Sequence, residues 1–220
     1  MNLSLEYLIK EPKIKSDKNP LLLLLHGYGS NQADLFSFAA ELPEEYYIVS
    51  AQAPYDLQYG SYAWYAINFD ADENKFSDLD QARESRDVIV RFIDELVTNY
   101  AIDSNNISLL GFSQGAILSY AIALSYPEKI KNVIALSGYA NEDIAVPNYQ
   151  TNDFSQLRIF HSHGTVDQVI PVEWARKTAP FLKNLNIQST YKEYPVGHGV
   201  APQNFYDFRN WLLENNTISK

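Results

Sequence analysis

Apolar residues recur along this chain in two rhythms, and the rhythms alternate. Leu3, Leu5, Tyr7 and Ile9 alternate with polar neighbours, Leu8 excepted, which is the period-two signature of a half-buried strand. Residues 10–20 hold Lys, Asp, Asn and two Pro and read as a turn. Leu21 to Leu25 is an unbroken apolar run of strand length, as expected of a central strand covered on both faces.

Helical and strand patterns then take turns. A helix is predicted over Asn31 to Leu42 and a strand near Tyr47 to Ala51. Asp78 to Tyr100 places Leu79, Ala82, Val88, Ile89, Phe92, Ile93 and Leu96 near helical spacing. Strand Ile107 to Leu110 follows, then helix Gln114 to Ser125, ended by Tyr126-Pro127. Strand Asn132 to Leu136, a polar loop to about Ser155 and strand Leu157 to Phe160 come next. A helix from about Val172 to Leu185, strand Ser189 to Tyr194 and a closing helix near Pro202 to Leu213 complete the pattern. Strands alternating with helices predict a mostly parallel sheet with helices on both faces. No internal repeat, low-complexity tract or linker divides the chain, so residues 1–220 are expected to form a single α/β domain. One segment breaks the rhythm. Residues 52–77 form a long connection carrying Tyr55, Tyr59, Tyr62, Trp64, Tyr65 and Phe69; a connection this long is usually functional or disordered, and its aromatics argue against disorder.

Composition narrows the functions. The formal net charge of −10 repels nucleic acid and anionic membranes, so neither is an expected partner. The absence of cysteine excludes disulfides, a thiol nucleophile and a Cys-based metal site. Met1 to Lys10 has no apolar core of signal-peptide length, and Leu21 to Leu25 is far too short to span a bilayer; a cytoplasmic, bacterial-type protein without integral membrane association is expected.

Gly111-Phe112-Ser113-Gln114-Gly115 fits the G-x-S-x-G nucleophile elbow, with an apolar strand running in and an apolar helix running out. The sharp turn needs small residues around Ser113 and lifts its hydroxyl above the sheet; a serine-capped glycine turn is the plain structural alternative. A serine hydroxyl needs a base, and in this arrangement acid and histidine follow the serine in that order. Of His26, His161, His163 and His198, only His198 lies beyond a suitable acid. Asp167 is that acid: it lies just past the carboxyl end of strand Leu157 to Phe160, whereas Asp153 precedes the strand and Asp143 sits in an irregular loop. A helix cap is the alternative role for Asp167. The backbone N–H groups of Tyr28, in the turn His26-Gly27-Tyr28-Gly29-Ser30, and of Gln114, at a helix amino end, are assigned as oxyanion donors. His26 is expected to brace its loop. Tyr62, Trp64 and Tyr65 are candidates for a substrate-pocket wall, or for a satellite core under a long loop.

Taken together, Leu24-Leu25-His26-Gly27-Tyr28-Gly29, Trp64-Tyr65, Gly111-Phe112-Ser113-Gln114-Gly115, His163-Gly164-Thr165-Val166-Asp167 and Gly197-His198 give the chain a resemblance to the phospholipase/carboxylesterase family, which includes small bacterial carboxylesterases and acyl-protein thioesterases. Ala116, Tyr28 and Gly199 depart from the common pattern of those relatives. The resemblance implies an α/β-hydrolase fold without a large lid domain, a Ser113-Asp167-His198 triad needing neither metal nor cofactor, and hydrolysis of a small acyl ester or thioester by a monomer or homodimer. Carboxylesterase, lysophospholipase and thioesterase activities share this triad and stay open. A non-catalytic α/β-hydrolase-fold ligand-binding protein is the competing class, set against three filled triad positions. Metal-assisted hydrolysis through His161 and His163 lacks further ligands.

Overall fold

The structure, a computed structural model, describes residues 3–69 and 75–216. Met1 and Asn2 of the first alternating stretch, and residues 70–74 of the aromatic connection, lie outside the described residues. In chain order the elements are β1 (Tyr7–Lys10), β2 (Asn19–Leu25), α1 (Ala33–Phe36) and β3 (Tyr47–Ala51). Two small hairpins follow, β4 (Tyr55–Asp56) with β5 (Tyr62–Ala63) and β6 (Ile67–Phe69) with β7 (Lys75–Ser77). Then come α2 (Leu79–Asn99), β8 (Ile102–Phe112), α3 (Gln114–Ser125) and β9 (Asn132–Leu136). The chain closes with β10 (Arg158–Gly164), α4 (Val172–Asn184), β11 (Gln188–Tyr194) and α5 (Pro202–Asn215).

The leucine run sets the centre. Alternate side chains of a strand leave opposite faces, so Leu21, Leu23 and Leu25 enter one core layer and Leu22 and Leu24 the other, all fully buried. Each such burial contributes roughly 1.5–3 kcal/mol against the entropy of ordering the chain. Helices α2, α3 and α4 cover the first layer; α1 and α5 cover the second. The seven-stranded sheet runs β1-β3-β2-β8-β9-β10-β11, parallel except for β1, which pairs antiparallel with β3. This is the α/β-hydrolase fold, with no further domain among the described residues. No helix among them is long and apolar enough to cross a membrane.

Four elements differ from their sequence patterns, each for a local reason. The first strand begins at Tyr7, not Leu3, because Ser4 turns toward α2, its N–H donating to Glu95 Oε2 at 2.6 Å. The helix expected over Asn31 to Leu42 is only α1, continued as a 3-10 turn at Ser37–Ala40. Gln32 supplies no side-chain cap, and Asn31 accepts from Ala33 N–H through Oδ1 at 2.9 Å while donating through Nδ2 to the Gly60 carbonyl at 3.0 Å; a helix of a single turn is marginal. Strand β8 starts at Ile102, five residues early, with a break in register against β2 that leaves the polar stretch 103–106 out of the ladder. Strand β10 runs on through His161, Ser162 and His163 to Gly164, because these buried residues are accommodated inside the protein: His161 stacks on Tyr191, Ser162 Oγ donates to Asn204 Oδ1 at 3.1 Å and His163 Nε2 lies 2.9 Å from the Ile170 carbonyl.

Candidate active site

Register brings the candidate residues to one edge. Leu25 pairs with Gly111, Phe112 with Leu136 and Leu136 with Ser162, so β2, β8, β9 and β10 end at one level. The residues that follow these strand ends therefore share that edge: His26-Gly27-Tyr28, Ser113, Ser137-Gly138 and the turn to Asp167.

Ser113 joins β8 to α3 at φ 54° and ψ −116°, a region L-residues enter only under constraint. The constraint is visible. Its N–H donates to the Leu136 carbonyl at 2.9 Å, and its own carbonyl accepts from Ala116 and Ile117 at 3.0 and 3.1 Å. Gly115 lets α3 press against the end of β2: a Cβ there would lie 2.0 Å from the Leu25 carbonyl oxygen and 2.8 Å from that of His26. Buried Gln114 clamps the elbow to the aromatic connection. Its Oε1 accepts from Trp64 N–H and its Nε2 donates to the Tyr65 carbonyl, both at 2.8 Å.

The Ser113 hydroxyl lies 2.8 Å from His198 Nε2, and His198 Nδ1 lies 2.7 Å from Asp167 Oδ2. The two loops that carry these residues approach closely because Gly164 has no side chain; a Cβ there would sit 2.2 Å from the Gly197 carbonyl oxygen. The second carboxylate oxygen, Asp167 Oδ1, accepts from the N–H groups of Val169 and Ile170 at 2.8 and 2.9 Å. Burial by itself would push the Asp167 carboxyl up, but the His198, Ile170 and Val169 donors outweigh it and hold its pKa below the ordinary 3.8. Asp167 thus stays ionised wherever an imidazole titrates, and its contribution to stability declines only as pH falls through its lowered folded value.

Tyr28 and Gln114 begin the two turns that flank Ser113, and neither N–H has a backbone acceptor among the described residues. The loop carrying Tyr28 is fixed from several sides. His26 is fully buried, with Nδ1 2.8 Å from the Gly27 carbonyl and Nε2 accepting from Ala53 N–H at 3.1 Å. That pattern assigns the proton to Nδ1, and burial lowers the pKa, so the ring is a neutral brace. Trp64 Nε1 donates to the His26 carbonyl at 2.9 Å, and Tyr62 pairs with the loop through Gly29 and Ser30. Trp64 and Tyr65 are buried beneath the loop, 0% and 2% exposed, so they brace it instead of facing an open cleft.

An open groove of about 410 Å³ lies instead between the segment after β9 and the start of α4. Tyr139 and Trp174 wall it, ring centroids 5.0 Å apart and edge-on, with Phe181 and Thr178 beyond. Tyr139 follows Gly138, which packs against Ala116 and the Ser113 carbonyl. Exposed Tyr28, Val166, Val169 and Trp174 add apolar surface on the turn after β2, on the loop that carries Asp167 and on the first turn of α4. Sequence patterning had no signal for Tyr139 and Trp174, which lie 35 positions apart and meet only through the parallel crossover.

His161 and His163 are buried on β10, and among the described residues no group of three or more His, Asp or Glu is placed to hold a metal ion. His161 stacks on Tyr191 at 4.7 Å, and burial, then the adjacent His163 ring, push its pKa down to about 4. Below the ordinary 6.5 the unfolded chain therefore takes up a proton that the folded chain refuses. Stability is expected to fall as pH drops from about 6.5 to about 4, by roughly 3 kcal/mol from this group, and then to level off. Urea unfolding of the wild type and His161→Phe at pH 7 and 4.5 measures it: the variant should lose distinctly less stability between the two pH values.

Comparison with known proteins came to the same frame. A family model described as Phospholipase/Carboxylesterase matches residues 8–216. The chain is 27% identical over 215 residues to acyl-protein thioesterase 1 of Yarrowia lipolytica, covering 91% of this chain and 94% of that protein. It is 30% identical over 114 residues to a probable carboxylesterase of Arabidopsis thaliana, 51% of this chain and 44% of that protein, so it spans less than half of that relative's length. Among solved structures it superposes on the Bacillus cereus carboxylesterase with a TM-score of 0.82 at 21% identity, covering 96% of this chain and 94% of that one. The esterase PE8 gives a TM-score of 0.80 at 26% identity over 97% and 99% of the two chains.

Proposed function

The chain belongs to the phospholipase/carboxylesterase family, and we propose that within it this protein hydrolyses carboxylic esters or thioesters through an acyl-enzyme on Ser113. The observation that carries this reading is the continuous relay from Ser113 Oγ to His198 Nε2, at 2.8 Å, and from His198 Nδ1 to Asp167 Oδ2, at 2.7 Å, on a serine held at φ 54°.

Ser113 Oγ attacks the acyl carbon while His198 Nε2 takes its proton. The negative charge that develops on the carbonyl oxygen is met by the N–H groups of Tyr28 and Gln114, the latter reinforced by the amino end of α3. The C–O or C–S bond breaks as the imidazolium returns its proton to the leaving alcohol or thiol. Water then attacks the acyl-serine, giving its proton to His198, and the acid leaves as Ser113 regains that proton. Asp167, fixed by two backbone N–H groups, keeps hydrogen on His198 Nδ1 and stabilises the imidazolium that forms.

The groove walled by Tyr139, Trp174 and Phe181 is the natural seat for the acyl chain: it is open, its three aromatic residues stand beside Glu142 and Lys177, and Tyr139 follows Gly138, which packs against the Ser113 carbonyl. A p-nitrophenyl ester series from acetate to long-chain acyl groups tests both parts. The wild type should turn over the short and medium esters, and Trp174→Ala should shift the optimum toward longer or bulkier chains, with kcat/KM changed roughly tenfold at the ends of the series. No turnover of any ester would refute the hydrolase reading in favour of a ligand-binding protein; turnover with an unchanged chain-length profile in Trp174→Ala would move the acyl seat elsewhere.

A further inference from the structure

His163 is not a member of the relay, yet its ring reaches the relay's acid. It is buried near the carboxyl end of β10, four residues before Asp167, with Nε2 2.9 Å from the Ile170 carbonyl and 3.2 Å from Asp167 Oδ2. Both neighbours are acceptors only. Nε2 must therefore carry hydrogen in either charge state of the ring, and that hydrogen is directed at the Ile170 carbonyl, with Asp167 Oδ2 beside it and off the N–H direction. The other nitrogen, Nδ1, is buried and has no hydrogen-bond partner among the described residues.

We propose that His163 is a positioning residue for ester hydrolysis: its Nε2–H holds the Ile170 carbonyl, and with it the turn whose N–H groups grip the Asp167 carboxylate, and so fixes the aim of His198. The proposal rests on the reading of Ser113, His198 and Asp167 as the reacting relay. The need for such a residue follows from how the carboxylate is held. Backbone donors from Val169 and Ile170 grip Oδ1, so the carboxylate is only as fixed as the turn that carries those two N–H groups. Only two side chains meet Oδ2 among the described residues, His198 and His163. His198 stands on the loop between β11 and α5, whereas His163 is rooted in β10, in register with Glu193 of β11. The strand side therefore gives the fixed reference, and the loop side is what it orients. Ile170 closes the device: its N–H donates to Asp167 Oδ1 while its carbonyl faces His163 Nε2, so the turn that grips the carboxylate is itself tied to the ring.

Two substitutions and two readouts test this. His163→Phe keeps a buried ring and removes the donor; His163→Gln supplies an amide N–H at nearly the same reach. With a short-chain ester, His163→Phe is expected to lower kcat tenfold to a hundredfold, the scale of losses from sub-ångström to ångström misplacement of a catalytic group, with KM within about twofold. His163→Gln should recover most of that kcat. The second readout needs no turnover: the downfield proton resonance of His198 Nδ1–H bonded to Asp167 should be present in the wild type and in His163→Gln, and broadened or lost in folded His163→Phe. Wild-type kcat and an intact resonance in His163→Phe would overturn the proposal. Equal losses of kcat in the Phe and Gln variants would overturn it as well, because they would make His163 a packing residue. A wild type without ester turnover, with the resonance present in it and in His163→Gln and lost in His163→Phe, would sink the hydrolase reading and leave the carboxylate-orienting role standing.

Discussion

Ser113→Ala is expected to abolish ester turnover, lowering kcat by about a million-fold, the scale of loss when a serine hydrolase loses its nucleophile. The fold should not notice. The strained turn is held by main-chain bonds, from Ser113 N–H to Leu136 and from Ala116 and Ile117 to the Ser113 carbonyl, and alanine keeps all three. The side-chain bond that is lost joins Oγ to His198 Nε2, a half-buried ring that water can satisfy in its place. The Tm of the variant should therefore lie within a few degrees of the wild type. A fluorophosphonate reagent, which esterifies an activated serine, should label the wild type at Ser113 and leave the variant unlabelled. Labelling at another serine, or turnover above about one per cent of wild type, would remove Ser113 from the chemistry.

The reach of the sequence in this protein follows the kind of interaction involved. Leu21 to Leu25 declare a central strand because a strand covered on both faces must be apolar at every position, and all five are buried. The meeting of Ser113, Asp167 and His198 could be expected from the order in which such a relay runs and from the strand end that each follows, and the three side chains do lie within hydrogen-bond distance of one another in turn. Pattern fails where polarity and burial coincide. His161, Ser162 and His163 look like the end of a strand, yet all three are inside it: Ser162 and His163 have hydrogen-bond partners that hydropathy does not record, and His161 stacks on Tyr191.

The aromatic connection shows a second limit. Trp64 and Tyr65 suggest a pocket wall by composition, but the Gln114 amide and the His26 carbonyl turn them inward to brace the turn after β2. No spacing in the chain announces that a glutamine chosen for its backbone N–H also clamps a segment 50 residues earlier with its side chain. The open groove belongs instead to Tyr139 and Trp174, whose meeting depends on three-dimensional crossover geometry.

Asp167→Asn should cost about ten-thousand-fold in kcat while leaving the nucleophile and the oxyanion donors in place. The hydrogen bonds dictate which way the new amide turns. Val169 and Ile170 present two N–H groups at the Oδ1 position, so the amide oxygen must settle there. The NH₂ then takes the Oδ2 position, facing His198 Nδ1, where it needs an acceptor. Only the imidazole tautomer with its hydrogen on Nε2 offers one, and that tautomer points a donor at Ser113 Oγ across 2.8 Å. The base is thereby lost without any atom being removed from the site. The opposite amide orientation restores the tautomer but sets NH₂ against two backbone N–H groups, at roughly 1–3 kcal/mol for each unsatisfied donor. The same NH₂, in its preferred orientation, also meets His163 Nε2–H donor to donor, so the variant should melt slightly below wild type. Kinetics on a short ester, with a thermal melt alongside, measures both effects. An Asn variant that keeps a tenth or more of wild-type kcat would mean that the imidazole of His198 takes its orientation from some other group. The smaller loss expected here than at Ser113 is itself informative, since an orienting acid leaves behind a serine, a histidine and two N–H donors, whereas the serine leaves nothing to acylate.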